Sequence, residues 1–392
     1  MNKYLSILLC LLFFQNDLFA QREAEQEEKL PFIIKSDSTK VGEMDLKNLR
    51  FTPFLAPSVS PEVGAMLVGG GLISFKLDPK SKVLQRSSVP FSFGYSTNGS
   101  SNFNVRPSLF FKNDKNRVSG DIWMKDMPDN YWGVGYDAAR KPSKPDSTTS
   151  YRRNWWQLFI KYSHQFKKNF FGGLLFDYNQ TKVKDANPVM IEDPYFQEFG
   201  DFIRNWSVGL LLQYDSRDLT INAYDGIFVE LSSNLYRSEA FIKPYYQVIV
   251  VDYRQYKQIK RPGSTLAWQI KTRIANHDVP WTEMSQLGTP FDLRGYRWGR
   301  YRDKDMLFGI AEYRYMFMRK TPRKDGNMMS RFGFVTWLAT GSVANNFTEM
   351  SNWLPNAGVG LRFEVQNRMN ARFDFGIGDD TSAFYISFNE AF

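Results

Sequence analysis

Apolar and polar side chains alternate with a period of two residues through most of this chain. Such alternation predicts β-strands with two unlike faces. In the final segment one face carries Phe384, Ile386, Phe388 and Phe392. The only continuous apolar run, residues 5–14, is too short to cross a bilayer as a helix, and the mean hydropathy is −0.43. The pattern therefore predicts an all-β chain and excludes a polytopic helical membrane protein.

Two all-β architectures fit this alternation. In a soluble sandwich the charged face meets water, whereas in an outer-membrane barrel the apolar face meets lipid and charge lines the lumen. The segment 306–317 shows the problem, because Glu312 and Arg314 lie opposite a face of apolar and aromatic residues. Three features favour the barrel: a secretory signal, an aromatic content of 16%, and a chain that ends within a strand at Phe392.

Residues 1–20 have the features of a cleaved signal peptide, with Lys3, a short apolar core and Ala20 at the exit. A buried first strand is the alternative. Cleavage would remove Cys10, the only cysteine, and would leave neither a disulfide framework nor a thiolate metal site. Residues 21–49 are highly charged and are expected to form a flexible periplasmic lead-in. Residues 50–392 are expected to form one barrel domain.

Fifteen segments have strand-like alternation. They are 62–76, 88–97, 102–111, 116–126, 151–163, 168–179, 203–215, 226–236, 244–256, 264–275, 306–317, 330–341, 356–365, 369–378 and 382–392. Bacterial single-chain barrels have an even number of strands, so we expect sixteen, with 129–137 as the candidate for the missing one. The long non-periodic stretches 137–150, 180–202 and 276–305 are expected to be loops on one side of the barrel.

The third of these loops carries a distinctive motif. Arg294-Gly295-Tyr296 is followed by Gly299-Arg300, and the next strand contains Glu312-Tyr313-Arg314. With these residues the sequence resembles the BamA/TamA superfamily of outer-membrane barrels, the bacterial surface antigens. The resemblance extends in order through Ser60–Gly71, Tyr214–Gly226, Gly358–Arg362 and Arg372–Gly376. It implies a barrel in the bacterial outer membrane with an extracellular loop folded into the lumen and a lateral seam between the first and last strands.

The sequence departs from the family pattern in two places. Between the signal peptide and residue 50 there are 29 residues, too few for a periplasmic POTRA domain, so the resemblance is to a POTRA-less member. The strand after Glu312 usually carries Asp-x-Gly, but here it reads Ala339-Thr340-Gly341.

A buried guanidinium in the lumen needs a carboxylate partner. We expect Arg294 to pair with Glu312, with Asp374 as the second candidate, and Arg314 and Arg362 to be further lumen charges near the loop. Arginine suits this role because its planar fork binds a carboxylate through two hydrogen bonds. A static brace is the preferred interpretation of the loop, and gating or substrate guidance is the alternative.

The resemblance also implies that Gly64, Gly69, Gly70 and Gly71 weaken a first strand at the lateral seam, with Phe392 on the other side of that seam. Close packing or a bulge explains the same glycines equally well.

Other chemistry finds little support in the sequence. Ser163 and His164 are neighbours in one predicted strand and therefore point to opposite faces, so they cannot form a nucleophile–base pair. His277-Asp278 is a weak metal pair, and no cofactor motif is present. The net charge of +9 comes from basic residues scattered among aromatics, which favours contact with anionic lipopolysaccharide, or a charged lumen, over nucleic acid.

The preferred hypothesis is a monomeric, non-enzymatic barrel that helps to insert or translocate proteins, or lipids, through the seam and the internal loop. Its partners would be outer-membrane lipids, lipopolysaccharide and client outer-membrane proteins. A constitutive pore or structural barrel, and a surface receptor or adhesin, are the alternatives.

Overall fold

The computed structural model describes residues 48–60, 64–81, 84–141, 149–239, 245–323 and 326–392. The predicted signal peptide, and all but the last two residues of the predicted lead-in, lie outside these ranges. None of the helices in the described ranges is long and apolar enough to cross a membrane.

The described residues form nineteen strands and three short α-helices. The strands are β1 Arg50–Ser60, β2 Gly64–Phe75, β3 Ser87–Ser96, β4 Ser101–Val105, β5 Ser108–Phe111, β6 Asn116–Asn130, β7 Ser150–Lys167, β8 Phe170–Lys184, β9 Phe202–Asp215, β10 Gly226–Ser238, β11 Tyr245–Gln258, β12 Ser264–Asn276, β13 Ser285–Gln286, β14 Arg302–Asp303, β15 Asp305–Met318, β16 Met329–Ala344, β17 Leu354–Gln366, β18 Met369–Ile377 and β19 Ser382–Phe388. The helices are α1 Tyr136–Arg140, α2 Pro188–Glu192 and α3 Pro194–Phe199.

Seventeen of these strands form one antiparallel sheet, and β13 and β14 form a separate ribbon within the long loop. Both β4 and β5 pair with β3 on one side and with β6 on the other, so they are two halves of one strand interrupted at Arg106-Pro107. The sheet therefore has sixteen strands, and the predicted all-β barrel is confirmed.

The missing strand is β1, and the prediction that residues 129–137 supply it was wrong. Residues 129 and 130 end β6, and residues 136–140 form α1. Pro53 and Pro57 hide β1 in the sequence, because proline cannot donate to a sheet ladder and is confined to edges. The two prolines are four residues apart, and the eleven-residue ladder from β1 to β2 is continuous, so both backbone nitrogens point to the same side of β1. Their nitrogens therefore face away from β2, towards the free edge of the sheet.

The sheet presents apolar side chains outward and charged ones inward. Leu338, Leu210 and Leu361 are 70%, 67% and 63% exposed, whereas the side chains of Arg362, Asp374 and Glu312 are at most 1% exposed. A soluble protein has the opposite arrangement. An outer apolar belt around a charged interior is the arrangement found in transmembrane barrels.

The two end strands of the sheet meet side by side. Phe54 of β1 and Phe388 of β19 are in ring contact at 5.4 Å, and Gln366 donates to Thr52 at 2.9 Å. Among the described residues, however, no backbone ladder joins β1 to β19, whereas every other neighbouring pair of strands has one. We call this junction the seam.

The chain does not end within a strand. The last strand stops at Phe388, and Asn389 takes a φ of 64°, a left-handed conformation that turns the chain. Phe392 is 6% exposed and lies beside Tyr256 and Arg314 inside the barrel. Its predicted place on the lipid face, in line with Phe384 and Ile386, was therefore wrong. We call Asn389–Phe392 the tail.

The barrel has two unlike ends. One, which we call the loop end, carries the long segments 131–141, 185–201 and 277–304. The other, the turn end, carries shorter connections, such as 112–115, 168–169 and 367–368. Five residues of the predicted loop 180–202 continue β8, which ends at Lys184.

Candidate functional site

The long loop between β12 and β15 packs inside the barrel. Leu293, Tyr296 and Tyr301 are at most 1% exposed and belong to one apolar cluster with side chains of the wall strands, including Ile310 and Trp337. Even-numbered residues of β15 face inward, and Met306, Phe308 and Ile310 cover the loop from that side. The inward face of β15 therefore provides an apolar surface against which the loop packs.

Arg294 lies at the tip of the loop between two carboxylates. Its guanidinium binds Glu312 of β15 and donates to Asp374 of β18 at 2.7 Å, and all three side chains are fully buried. The Trp337 ring lies 3.6 Å from the guanidinium carbon and covers its face. Both carboxylates proposed from the sequence thus contact the loop arginine, and Asp374 supplies the negative charge that Ala339-Thr340-Gly341 lacks.

These groups belong to a ring of alternating charges. Arg314 binds Glu312 at 2.9 Å and lies 3.9 Å from Glu390 of the tail. Arg362 joins Glu390, at 2.8 Å, to Asp374, at 2.6 Å. The ring closes through Arg294, so it connects the loop, the wall strands and the tail. We call it the charge ring.

A fourth arginine stands beside the ring. Arg372 is fully buried, and its nearest contact with a carboxylate is 3.5 Å, from Nε to Asp374. Without the loop, the wall and tail hold three carboxylates and three arginines, Arg314, Arg362 and Arg372. Arg294 is therefore one positive charge more than this set needs for balance.

The backbone of the tip is bound as firmly as its side chain. Asn356 of β17 donates to the Arg294 carbonyl at 2.5 Å. Thr381 donates to the Gly295 carbonyl at 2.8 Å, and the Gly295 amide donates to the Tyr385 hydroxyl at 3.1 Å. Tyr296 donates through its hydroxyl to the Pro355 carbonyl at 2.6 Å. These bonds fix the tip against β17, β19 and the β18–β19 connection, on the side of the barrel next to the seam.

Glycines in and just after β18 give the tip its space. A Cβ at Gly376 would lie 2.0 Å from the Arg294 carbonyl oxygen, and one at Gly378 would lie 2.7 Å from the Tyr296 ring. Gly295 itself has a φ of 119°, which a residue with a side chain rarely adopts. The close approach of loop and wall therefore depends on glycine from both sides.

Gly299 and Arg300 lie farther along the loop, away from the charge ring. Gly299 lies in a turn with a φ of 74°, and its carbonyl accepts from Arg302 at 2.9 Å. Arg300 binds Asp380 at 2.6 Å and donates to the Ala139 carbonyl of α1 at 3.2 Å. These contacts brace the loop at its outer end.

The predicted seam residues are placed differently from the expectation. Gly64, Gly69, Gly70 and Gly71 lie in β2, which pairs with β1 and β3 and is not at the seam. A Cβ at Gly70 would lie 2.7 Å from the Phe54 ring, and one at Gly71 would lie 2.4 Å from the Phe51 ring. The glycine run therefore accommodates the aromatic rings of β1. The residues that meet across the seam are Phe54 and Phe388, and Phe392 lies in the lumen.

Ser163 and His164 point to opposite faces of β7, as the alternation requires. Ser163 is buried, and the His164 ring lies outside, 2.9 Å from the Asn116 side-chain oxygen. No group of three or more His, Cys, Asp or Glu side chains within the described ranges is arranged to hold a metal ion.

Sequence reasoning missed several residues of this site. Trp337, Asn356 and Arg372 are ordinary members of alternating strands, and only the position of the loop tip gives them a role. Glu390 lies in the segment 382–392, which was predicted to be a strand to its end, and no lumen role was predicted for it. Gly376-x-Gly378 could have been found, because two glycines on one face of a strand indicate a close approach by another part of the chain.

Comparisons with known proteins agree with the fold. No protein-family model matches the chain, and no curated protein matches it. Among solved structures, BamA from Haemophilus ducreyi lacking POTRA domains 1–3 matches 87% of this chain and 69% of its own, with a TM-score of 0.51 and 13% identity. CdiB from Escherichia coli matches 87% of this chain and 62% of its own, with a TM-score of 0.51 and 12% identity. At these identities the likeness shows a common fold.

Proposed function

We propose that the chain is an outer-membrane barrel of the BamA and CdiB type that helps protein, or lipid, to enter or cross the membrane through its seam. The loop end faces outward and the turn end faces the periplasm. Outer-membrane lipids and lipopolysaccharide surround the barrel, and unfolded outer-membrane proteins are its clients. The mechanism needs no covalent chemistry.

The observation that carries this proposal is a seam without a backbone ladder beside a loop whose charge the barrel wall does not need for balance. A barrel that only spans the membrane gains stability from a continuous ladder, since unpaired backbone groups in hydrocarbon cost several kcal/mol each. Here the edge of β1 carries Pro53 and Pro57 and has no ladder with β19 among the described residues. Such an edge is suited to opening.

The charge ring supports a loop that can leave. If Arg294 withdraws, Glu312 keeps Arg314, and Asp374 keeps Arg362 with Arg372 close by. Neither carboxylate becomes an isolated buried charge, which would cost about 3–5 kcal/mol. A loop whose only role was to brace the barrel would not need a wall whose buried charges are already balanced in its absence.

A cross-link across the seam tests the proposal. In a chain with Cys10 replaced by Ser, Phe54→Cys and Phe388→Cys are joined by a short thiol-specific cross-linker. The matched control is Phe375→Cys with Phe384→Cys, two outward residues directly opposite each other in the β18–β19 ladder. Both proteins are reconstituted in vesicles and given a urea-denatured outer-membrane barrel as client.

We expect the seam-locked protein to lose acceleration of client folding, and reduction of a cleavable linker to restore it, with the control unaffected. If the locked and control proteins accelerate folding equally, the seam does not act in insertion. The barrel would then be a structural barrel or a receptor that presents its loops.

A further inference from the structure

A cavity lies at the turn end, beneath the seam. It has a volume of about 300 Å³ and is lined by Arg50 of β1, Arg323 of the β15–β16 connection and Arg331 of β16. It exists because β19 stops short: Phe388 pairs with Ala371, two residues after β18 begins. Below that level β1 faces the end of β17 directly, through the Gln366–Thr52 hydrogen bond of 2.9 Å.

The charge in this cavity is unbalanced. Glu364 is the only carboxylate among its described lining residues, and it binds Arg323 at 2.7 Å. Arg50 and Arg331 are exposed and have no ion-pair partner among the described residues. The excess of positive charge also affects the nearby Arg86, because burial and the charge of Arg50 together lower its pKa. Within the described part of the chain, the cavity thus carries two guanidinium groups without an ion pair.

Each free arginine is followed in its strand by an outward aromatic side chain. Phe51 is 50% exposed and Phe332 is 47% exposed, and successive strand residues point to opposite faces. Phe51 also lines the cavity, together with Val365 of β17, so the cavity borders the apolar outer surface beside the seam. Because Arg50 and Phe51 begin β1, the cavity lies at the turn-end margin of this surface.

We propose that this cavity binds a phosphate group, and that its source is the headgroup of a phospholipid in the periplasmic leaflet. Guanidinium groups bind phosphate oxygens through paired charge-assisted hydrogen bonds, and basic pockets near the membrane surface take anionic headgroups. The acyl chains then lie along Phe51 and Phe332. This site requires no client, and only its assignment to the periplasmic leaflet rests on the orientation proposed above.

The test compares two double variants of the whole protein in phospholipid-free detergent. Arg50→Gln with Arg331→Gln removes the two uncompensated charges. The control, Lys257→Gln with Lys260→Gln, removes two charges from exposed residues at the turn end on another part of the barrel. Heat-dependent gel migration verifies that each variant is folded.

Native mass spectrometry then measures retention of phosphatidylglycerol and of diacylglycerol with the same acyl chains. We expect the wild type to retain one phosphatidylglycerol at least fivefold better than diacylglycerol. The control should match the wild type, and the arginine variant should lose the preference. A second arm follows line broadening of inorganic phosphate by ³¹P NMR. Arginine-dependent broadening without lipid retention would identify free phosphate as the source.

Two results would overturn the proposal. In one, the arginine variant retains phosphatidylglycerol and broadens phosphate as the wild type does. In the other, the wild type binds neither ligand.

Discussion

Arg362 of β17 donates from Nε to the Glu390 carboxylate at 2.8 Å and thereby binds the tail to the barrel wall. Its other branch donates to Asp374 at 2.6 Å, and Asp374 in turn holds the loop arginine. The tail begins where β19 ends at the seam. The seam strand and the lumen loop are therefore held by one set of charges, and a disturbance of either should reach the other.

Glu390→Gln should loosen the tail. The substitution keeps the size of the side chain but removes the charge that Arg362 binds and that accepts from Asn370 at 2.7 Å. Loss of a buried charged hydrogen bond costs about 1.5–3 kcal/mol. The change is measured as the urea midpoint of heat-dependent gel migration. The control is Glu239→Gln, whose partner Arg204 is exposed, and it should shift the free energy of unfolding by less than about 1 kcal/mol. Equal shifts in the two variants would contradict the assigned role of Glu390.

Arg294→Gln should cost less stability than Asp374→Asn. Without Arg294 each carboxylate of the ring keeps an arginine, whereas without Asp374 the guanidinium groups of Arg294, Arg362 and Arg372 surround a neutral side chain. Leaving buried charge uncompensated costs about 3–5 kcal/mol. The same urea series measures both variants. A greater loss for Arg294→Gln would favour a loop that serves as a permanent brace.

The alternation in the sequence was sufficient to predict the strands and to place Glu312, Arg314, Arg362 and Asp374 on the charged faces of their strands, because a period of two assigns each residue to a face wherever the strand continues. The predicted signal peptide, the aromatic content and the family resemblance were needed to identify that face as the lumen. It failed where the backbone departs from that period. Pro53 and Pro57 made β1 unrecognisable as a strand in the sequence. Proline is excluded from central strands but not from an edge strand, where its nitrogen faces away from the neighbouring strand.

Asn389 produced the second failure. Its left-handed φ turns the chain into the lumen, although Phe392 continues the outward pattern in the sequence. The partners of the loop tip could not be predicted for a different reason. Trp337, Asn356 and Gly376 are far apart in the chain and meet Arg294 only through the tertiary fold.

Gly376→Ala should displace the loop tip without changing any charge. The added Cβ would lie 2.0 Å from the Arg294 carbonyl oxygen, which is backbone and can yield only if the tip moves. In planar bilayers we expect a larger and noisier single-channel conductance than in the wild type, with Arg294→Ala showing the same effect. Gly309→Ala is the matched control, because its new Cβ would have only one atom near, at 3.9 Å. Unchanged conductance in both Gly376→Ala and Arg294→Ala would contradict a gating role for the loop.

Docking of the β13–β14 ribbon should weaken as the pH rises. Burial, reinforced by Asp305 and Glu349 and opposed by Lys304, raises the pKa of Asp303 to about 6 in the docked loop. Between its ordinary value of 3.8 and about 6, the docked carboxyl keeps a proton that the undocked one has lost. Docking is therefore strongest below pH 4, weakens through that window, and stays at its weaker level above pH 6.

Hydrogen exchange at the Leu287 and Gly135 amides, which donate to the Tyr301 and Arg302 carbonyls, measures this dependence once it is corrected for the chemical exchange rate. We expect more frequent opening at pH 7 than at pH 4.5 in the wild type. Asp303→Asn cannot ionise and should show nearly the same opening at both values. If Asp303→Asn keeps the wild-type slope, another group controls the ribbon.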